Sequence, residues 1–304
     1  MNTDLWLFPV GTHVVTRVPV HTPGGEVTRP AGAVRVVARV PADLAHAYRV
    51  RFPDGNEHAF LRRDLDVRKH LKHPDVPEPP DWTRWVQYRC VVGSRAFGLD
   101  TAESDTDRRG FYLPPADRHW SLWGVPEQLE NEGTQETYWE LQKFLTLALK
   151  ANPNVLECLY TPRVETASPL ALELLAMRDA FLSTLVYQTY NGYVLSQFKK
   201  LDADQRGRGE IRWKHAMHLI RLLLSGIAVV ESGEVMVHVG EHRDALLAIK
   251  RGEVAWNEIN AWRLDLHARF DAALPRSRLP ERPDYERVNA FLLRARRSML
   301  EVQP

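Results

Sequence analysis

The period of the hydrophobic positions changes along the chain, and each change marks a predicted region. Residues 8–68 contain β-branched segments separated by proline and glycine, and in HAYRVRF at 46–52 apolar side chains alternate with arginines. A period of two is typical of half-buried strands. Because four or five such strands fit within about 60 residues, we predict a small SH3-like β-barrel over residues 1–72.

A second pattern begins at Trp82, after a proline-rich stretch at 70–81 that is typical of a linker. The segments WVQYRCVV, DTDRRGFYLP and TQETYW are predicted strands. The last strand leads into a helix whose apolar residues recur at i, i+3, i+4 and i+7, namely Leu141, Phe144, Leu145 and Ala148. We therefore predict a mixed α/β core over residues 82–162.

The remainder of the chain, residues 163–304, has helical periodicity and an ambiguous VMVHV segment at 235–239. Asn152–Pro153 and Ser168–Pro169 combine an N-capping residue with proline at the first helical position, so each pair predicts a helix start. The fold class is therefore α+β, with an N-terminal β unit, a mixed-sheet core and an α-helical C-terminal region.

Charge excludes little, because 40 Lys and Arg against 39 Asp and Glu leave a net charge of +1. The charge is uneven, however: residues 76–162 carry −5 and each flank carries +3. No apolar run approaches the 18 or so residues of a membrane span, and the N-terminus lacks the pattern of a signal peptide. We expect a cytoplasmic protein without a membrane partner.

The chemistry is concentrated in the segment CVVGSRAFGLDTAESDTDRRGFYLPP. A predicted strand ends at Gly93 and Ser94, and the next begins near Asp105 and Asp107, whose side chains share a face at i and i+2. Two adjacent carboxylates repel each other unless a cation lies between them, and oxygen ligands favour Mg²⁺, or Mn²⁺ in its place. A glycine followed by a hydroxyl and free N–H groups suits phosphate oxygens.

These residues resemble the nucleotidyltransferases of the DNA polymerase β superfamily, and most closely the RNA-repair-associated branch of predicted nucleotidyltransferases. The resemblance rests on GSRAFG, SDTDRRGFYLPP, YWELQKFLTLALKANPNVLECLYTP and KHAMHLIRLLLSG, and runs from about Val86 to Leu224. It implies that Gly93 and Ser94 bind the triphosphate of an NTP. It also implies that Asp105 and Asp107 hold two Mg²⁺ ions for in-line transfer of the nucleotide.

Members of the superfamily usually have a third carboxylate on a neighbouring strand. Glu136 is the candidate here, although a shift of one residue would place Gln135 there instead. Glu140 is the alternative, but its position in the predicted helix also suits an exposed partner of Lys143.

Several cations are candidate phosphate contacts. Arg95 follows Ser94, and alternation sends Arg109 to the side of Asp107 and Arg108 away from it; salt bridges to nearby carboxylates are the alternative for all three. On the predicted helix that contains KHAMHLIRLLLSG, a polar stripe includes Lys214, His218 and Arg221. The resemblance favours a stripe that faces the nucleotide or acceptor cleft, and exposure to solvent is the alternative for Lys214 and Arg221. Tyr190, Asn191 and Tyr193 could stack on a base or pack in the core.

We therefore expect a Mg²⁺-dependent nucleotidyltransferase that moves a nucleoside monophosphate from an NTP to an acceptor hydroxyl. The branch resemblance and the basic flanks favour an RNA 3′ end as the acceptor. A protein or small-molecule acceptor remains open, and so does a non-catalytic regulator that binds nucleotide or RNA.

Overall fold

A computed structural model of the chain describes residues 8–21, 27–32, 34–41, 46–67, 80–208 and 211–300, with the side chain of residue 208 excepted. The chain forms two compact units, Met1–Pro80 and Asp81–Pro304. Most of the predicted linker at 70–81 lies outside the described residues. Each unit is described below by itself.

The N-terminal unit consists of short antiparallel strands: β1 (His13–Thr16), β2 (Val20–His21), β3 (Val27–Arg29), β4 (Val34–Arg39), β5 (Tyr48–Arg51), β6 (Glu57–Phe60) and β7 (Leu65–Val67). Five of them form a sheet in the order β6-β5-β4-β1-β7, and β2 pairs with β3. Along β5, as the alternation predicts, Tyr48 and Val50 are buried while the two arginines are exposed.

The SH3-like barrel predicted for this unit is not confirmed. After β6 the chain passes through a 3-10 turn at Arg62–Asp64 and pairs its next strand with β1, at the far edge of the sheet. Among the described strands β6 and β7 are therefore the two edges and do not pair with each other, so no closed barrel is seen.

The second unit is built on a mixed sheet of five strands: β8 (Val86–Val92), β9 (Asp107–Tyr112), β10 (Gln128–Asn131), β11 (Glu136–Glu140) and β12 (Val164–Ala167). The strand order is β10-β11-β9-β8-β12, in which β9 and β11 are parallel and the other neighbours are antiparallel. The mixed α+β class predicted from the pattern is thus observed.

Strand β12 was not expected, because it lies beyond residue 162 in the region predicted to be helical. It pairs with β8 at the sheet edge, and three of its four residues are exposed. An exposed edge strand needs no alternating hydrophobic pattern, which is why periodicity did not reveal it. The ambiguous segment at 235–239 is not a strand, although Val235, Val237 and Val239 are buried.

Ten helices complete the described part of the unit: α1 (Gly93–Phe97), α2 (Ala116–Trp120), α3 (Leu141–Leu149), α4 (Pro153–Tyr160), α5 (Pro169–Ala176), α6 (Leu185–Arg208), α7 (Trp213–Ser232), α8 (Arg243–Lys250), α9 (Trp256–Ala273) and α10 (Tyr285–Ser298). The Asn152 and Ser168 side chains accept hydrogen bonds from the first turns of α4 and α5, as predicted. A single hydrophobic core joins the sheet to these helices.

Helix α7 is the central helix of this core and packs against α6, α8 and α9. Its length and composition would allow it to cross a membrane, but 72% of its most apolar window is buried inside the fold. Burial in the core is sufficient to explain its apolar composition.

Candidate active site

The candidate site lies where β8 ends and β9 begins. The two strands are antiparallel neighbours, and Val92 is the register partner of Asp107. Gly93, the next residue, has a φ of +69°, and a Cβ atom at this position would lie 2.3 Å from Oδ2 of Asp107. Only glycine fits both the left-handed backbone and this close approach. The fold therefore places the Gly93–Ser94 turn directly against the Asp107 carboxylate.

The two aspartates differ in their surroundings. Asp107 is the first residue of β9 and is half-buried, whereas Asp105 lies in the turn before the strand and is exposed. Within the described residues neither carboxylate forms a hydrogen bond or an ion pair. Both are therefore available to bind a cation or a ligand.

This donor set is suited to a divalent metal that takes its other ligands from a substrate. Mg²⁺ is commonly bound by one or two carboxylates together with phosphate oxygens. The described residues contain no group of three or more His, Cys, Asp or Glu side chains arranged to hold a metal by themselves. Asp105 and Asp107 could hold Mg²⁺ beside the Gly93–Ser94 turn, because the Asp107 carboxylate lies directly against Gly93.

The Glu136 carboxylate is held by partners other than the two aspartates. It is the register partner of Arg108, so alternation directs it to the sheet face opposite Asp107 and Arg109. Its carboxylate accepts a hydrogen bond from the Tyr138 hydroxyl at 3.1 Å and lies 3.9 Å from the Arg89 guanidinium. Glu136 also lines the small cavity beside Asp107, and its role as a third metal ligand stays a prediction.

Glu140, the alternative, lies at the other end of β11. It is buried, pairs with Arg296 of α10 at 2.8 Å and accepts a hydrogen bond from the backbone N–H of Gln142. Burial raises the pKa of this carboxyl group. The expected partnership with Lys143 is not formed, because that lysine pairs with Glu127 at 2.7 Å.

The arginines that follow the aspartates point to opposite faces of the sheet. Arg109 lines a small cavity of about 120 Å³ together with Asp107 and Thr137, and its guanidinium lies 5.8 Å from the centre of the Trp139 ring. Arg108 forms a salt bridge with Glu165 of β12 at 2.9 Å. Arg109 is thus the arginine that shares the side of Asp107.

Arg95 links α1 to the loop that carries Asp105. Its guanidinium donates a hydrogen bond to the carbonyl of Ser104 at 2.7 Å and lies 3.9 Å from Asp100. The Ser104 hydroxyl in turn accepts a hydrogen bond from the backbone N–H of Thr101. These contacts give Arg95 a role in shaping the loop, instead of the phosphate contact that its place after Ser94 suggested.

The short helix α1 is held at its C-terminal end by residues from the helical region. The carbonyl of Phe97 accepts from the backbone N–H of Val239 at 3.0 Å, and that of Gly98 accepts from Arg243 at 2.8 Å. Lys250 approaches the carbonyl of Leu99 at 3.5 Å. A helix of five residues is not stable alone, so these contacts support the turn at Gly93.

The three candidates on α7 do not form one cationic stripe along a cleft. Lys214 is exposed, whereas Arg221 is completely buried, pairs with Glu157 at 2.8 Å and stacks 3.7 Å from the centre of the Phe97 ring. Burial, together with the nearby Arg221, lowers the pKa of His218 to about 3, so this imidazole is neutral at pH 7. The expectation that all three are cations facing triphosphate is corrected accordingly.

Glu157 was missed by the sequence reasoning, although a signal was present. It is a charged residue inside an otherwise apolar run, VLECL, and such a residue needs a buried partner. Glu157 pairs with Arg221, whose guanidinium stacks on the Phe97 ring, so this buried pair supports α1.

Comparison with known proteins extends these findings. A family model described as "RNA repair pathway DNA polymerase beta family" (RlaP) matches residues 66–294. Over 77 residues the chain is 34% identical to "Uncharacterized protein YcgL" of Bacillus subtilis (strain 168). That match covers 24% of this chain and 30% of the relative, so it spans less than a third of the relative's length. No solved structure matches the chain.

Proposed function

The chain belongs to the RNA repair pathway DNA polymerase beta family, and on that premise we propose that it transfers a nucleoside monophosphate from an NTP to an acceptor hydroxyl. The observation that carries this proposal is the contact between the Gly93–Ser94 turn and the Asp107 carboxylate, with Asp105 close by in sequence and neither carboxylate paired within the described residues. A phosphate-binding turn and two free carboxylates are the parts that metal-assisted phosphoryl transfer requires.

Each residue has a role in this proposal. The backbone at Gly93 and the N–H and hydroxyl of Ser94 bind triphosphate oxygens, because this turn opens helix α1 and its first N–H groups have no partner within the helix. Asp105 and Asp107 hold Mg²⁺, which supplies charge neutralisation at the phosphates and lowers the pKa of a bound hydroxyl. Arg109, on the side of Asp107, adds a positive charge toward the phosphates. No side chain is assigned as a general base, because Glu136 is engaged by Tyr138 and Arg89.

We favour the 3′ end of an RNA as the acceptor, because the description of the family names an RNA repair pathway. A second candidate function is a regulator that binds nucleotide without transferring it. The observation that favours this candidate is that the described residues contain no group of three or more His, Cys, Asp or Glu side chains arranged to hold a metal.

Label transfer from α-phosphate-labelled NTPs tests these proposals. The purified chain is incubated with each NTP, with Mg²⁺ or EDTA, and with an RNA or candidate proteins as acceptor. We expect label on RNA with Mg²⁺ and none with EDTA. Label on protein would move the acceptor assignment to a side chain, and NTP binding without any transfer would favour the regulator.

Two variants test the site itself. Asp105→Asn and Asp107→Asn should abolish transfer while leaving the circular dichroism spectrum and the melting temperature close to those of the wild type, because neither carboxylate has a partner to lose in the described part of the chain. Asp117→Asn, at an exposed carboxylate in the first turn of α2, is the matched control and should retain full activity. Unchanged transfer in both site variants would refute the metal assignment.

A further inference from the structure

A second cavity, of about 250 Å³, lies between the turn that joins α3 to α4 and the helices α6 and α7. Its apolar walls include Leu147 and Leu222, and its polar groups include Lys150, Asn154 and His218. No carboxylate lines it among the described residues, in contrast to the acidic cavity beside Asp107. This volume lies just below the roughly 300–1,000 Å³ of sites for drug-sized ligands, so the cavity admits a ligand no larger than about one nucleotide.

An aromatic ring is available at this cavity. Of the two tyrosines near the middle of α6, Tyr190 is completely buried, but Tyr193 is 41% exposed and lines the cavity. Flat aromatic rings at the surface bind nucleobases by stacking, and every base offers a face for this contact. Of the two tyrosines predicted to stack on a base, Tyr193 is therefore the one that a ligand can reach.

His218 adds a hydrogen-bonding group in a defined state. Arg221 places Nη2 at 3.3 Å from Nδ1 of His218, and a guanidinium only donates hydrogen bonds. Nδ1 is therefore the acceptor, and the neutral ring carries its proton on Nε2. The Glu157 ion pair holds Arg221 in place, so the tautomer of His218 is set by buried partners.

Two further polar side chains remain free for a ligand. Lys150 and Asn154 are exposed, and within the described residues neither side chain forms an ion pair or a hydrogen bond; only their backbone groups do. An ammonium group attracts phosphate, and an amide offers both donors and an acceptor to the edge of a base. Together with the ring and the neutral imidazole, they make up the recognition set for a nucleotide.

We propose that this cavity binds one nucleotide, with its base stacked on Tyr193 and its phosphate near Lys150. The assignment rests on the proposed function for the source of that nucleotide, which is either the NTP or the terminal residue of the acceptor RNA. The base contacts come from Tyr193, His218 and Asn154, so the cavity binds without a metal.

The test measures equilibrium binding of AMP, ATP and a short single-stranded oligoribonucleotide to the full chain in EDTA, by calorimetry and fluorescence anisotropy. Tyr193→Ala should weaken binding about tenfold, as expected for the loss of one base stack. Tyr285→Ala removes a tyrosine of similar exposure, 50%, from α10 and should bind as the wild type does. Lys150→Ala should weaken AMP binding more than adenosine binding.

The outcomes distinguish the NTP from the acceptor RNA as the source of the nucleotide, and they distinguish this proposal from the proposed function. Loss of AMP and ATP binding in Tyr193→Ala assigns the cavity to the NTP, and loss of oligonucleotide binding alone assigns it to the acceptor end. Equal affinities of the two tyrosine variants, or no binding of any probe by the wild type, would overturn the proposal. Asp107→Asn should bind all three probes normally in EDTA, so failure of transfer with this binding intact would refute only the proposed function.

Discussion

Replacing Gly93 by alanine tests the closest approach in the candidate site. The substitution has two separable costs. The first is backbone strain, because a φ of +69° costs an alanine about 1–2 kcal/mol. The second is steric, because the new Cβ would lie 2.3 Å from the Asp107 carboxylate oxygen, well inside the ~3.5 Å of an ordinary contact. Because that oxygen is the end of a side chain with no partner among the described residues, the carboxylate can turn away at little cost, so we expect the loss to stay near the strain, about 1–2 kcal/mol.

Gly233→Ala provides the matched control. Gly233 has a φ of +76°, and a Cβ there would meet nothing within 4 Å. It should therefore lose only the strain, about 1–2 kcal/mol, and keep full NTP binding and transfer. Gly93→Ala should lose a similar amount of stability but, because it displaces the Asp107 carboxylate, at least tenfold in Mg²⁺-dependent NTP binding. Urea titration and calorimetry measure the two effects.

Repeating the Gly93→Ala substitution in an Asp107→Ala variant shows whether its effect depends on the Asp107 side chain. In Asp107→Ala the nearest remaining atom of that side chain is Cβ, at 3.4 Å from the added methyl group. Adding Gly93→Ala to this variant should then cost no more than Gly233→Ala costs in the wild type. Unchanged NTP binding in both Gly93→Ala and Gly233→Ala in the wild-type background would refute the reasoning.

Other predictions concern the frame of the site. Arg221→Met leaves the Glu157 carboxylate buried without its partner, so we expect a loss of about 3–5 kcal/mol in urea titration, most of it recovered in Arg221→Met/Glu157→Leu; a double variant as unstable as the single one would contradict this. The pKa of His218 is about 3 when folded, against 6.5 for a free imidazole. On acidification the unfolded chain is therefore protonated before the folded one. The free energy of unfolding should keep its full value above pH 6.5 and fall by about 3 kcal/mol by pH 4.5. An equal loss in His218→Gln would show that this imidazole is not responsible. Gly110→Ala would put a Cβ 1.8 Å from the Tyr88 carbonyl oxygen and should separate β8 from β9, so a wild-type melting temperature would be inconsistent with the register.

The parts of the site that lie within one short stretch of chain could be predicted from the sequence. The strand that ends at Gly93, the strand that begins at Asp107 and the alternation that separates Arg108 from Arg109 all depend on local periodicity. The helix starts at Pro153 and Pro169 likewise follow from the capping residue beside each.

The position of Glu136 depends on a turn whose geometry the pattern does not contain. Gln135 has a φ of +54°, and its carbonyl accepts the backbone N–H of Arg108 at 3.0 Å. This bond makes Glu136 the neighbour of Arg108, and a shift of one residue exchanges the faces of a strand. The sequence pattern therefore could not decide between Gln135 and Glu136, because a single turn residue sets the register.

The burial of Arg221 depends on a partner 64 positions earlier in the chain, Glu157. On the helix alone, an arginine beside an apolar face is compatible with solvent, a cleft or a buried pair. Whether the N-terminal sheet closes into a barrel is equally non-local, because it depends on which strands form the edges.

The support of α1 has a consequence for biosynthesis. Its C-terminal carbonyls are held by Arg243 and Lys250, which follow their partners by 145 and 151 residues. At about 5–20 residues per second, a ribosome needs roughly ten seconds or more to add these residues after α1. A nascent chain released early would carry Asp105 and Asp107 without the anchored turn at Gly93. We therefore expect a fragment that ends before Arg243 to bind NTP more weakly than the full chain, because its turn at Gly93 lacks these contacts.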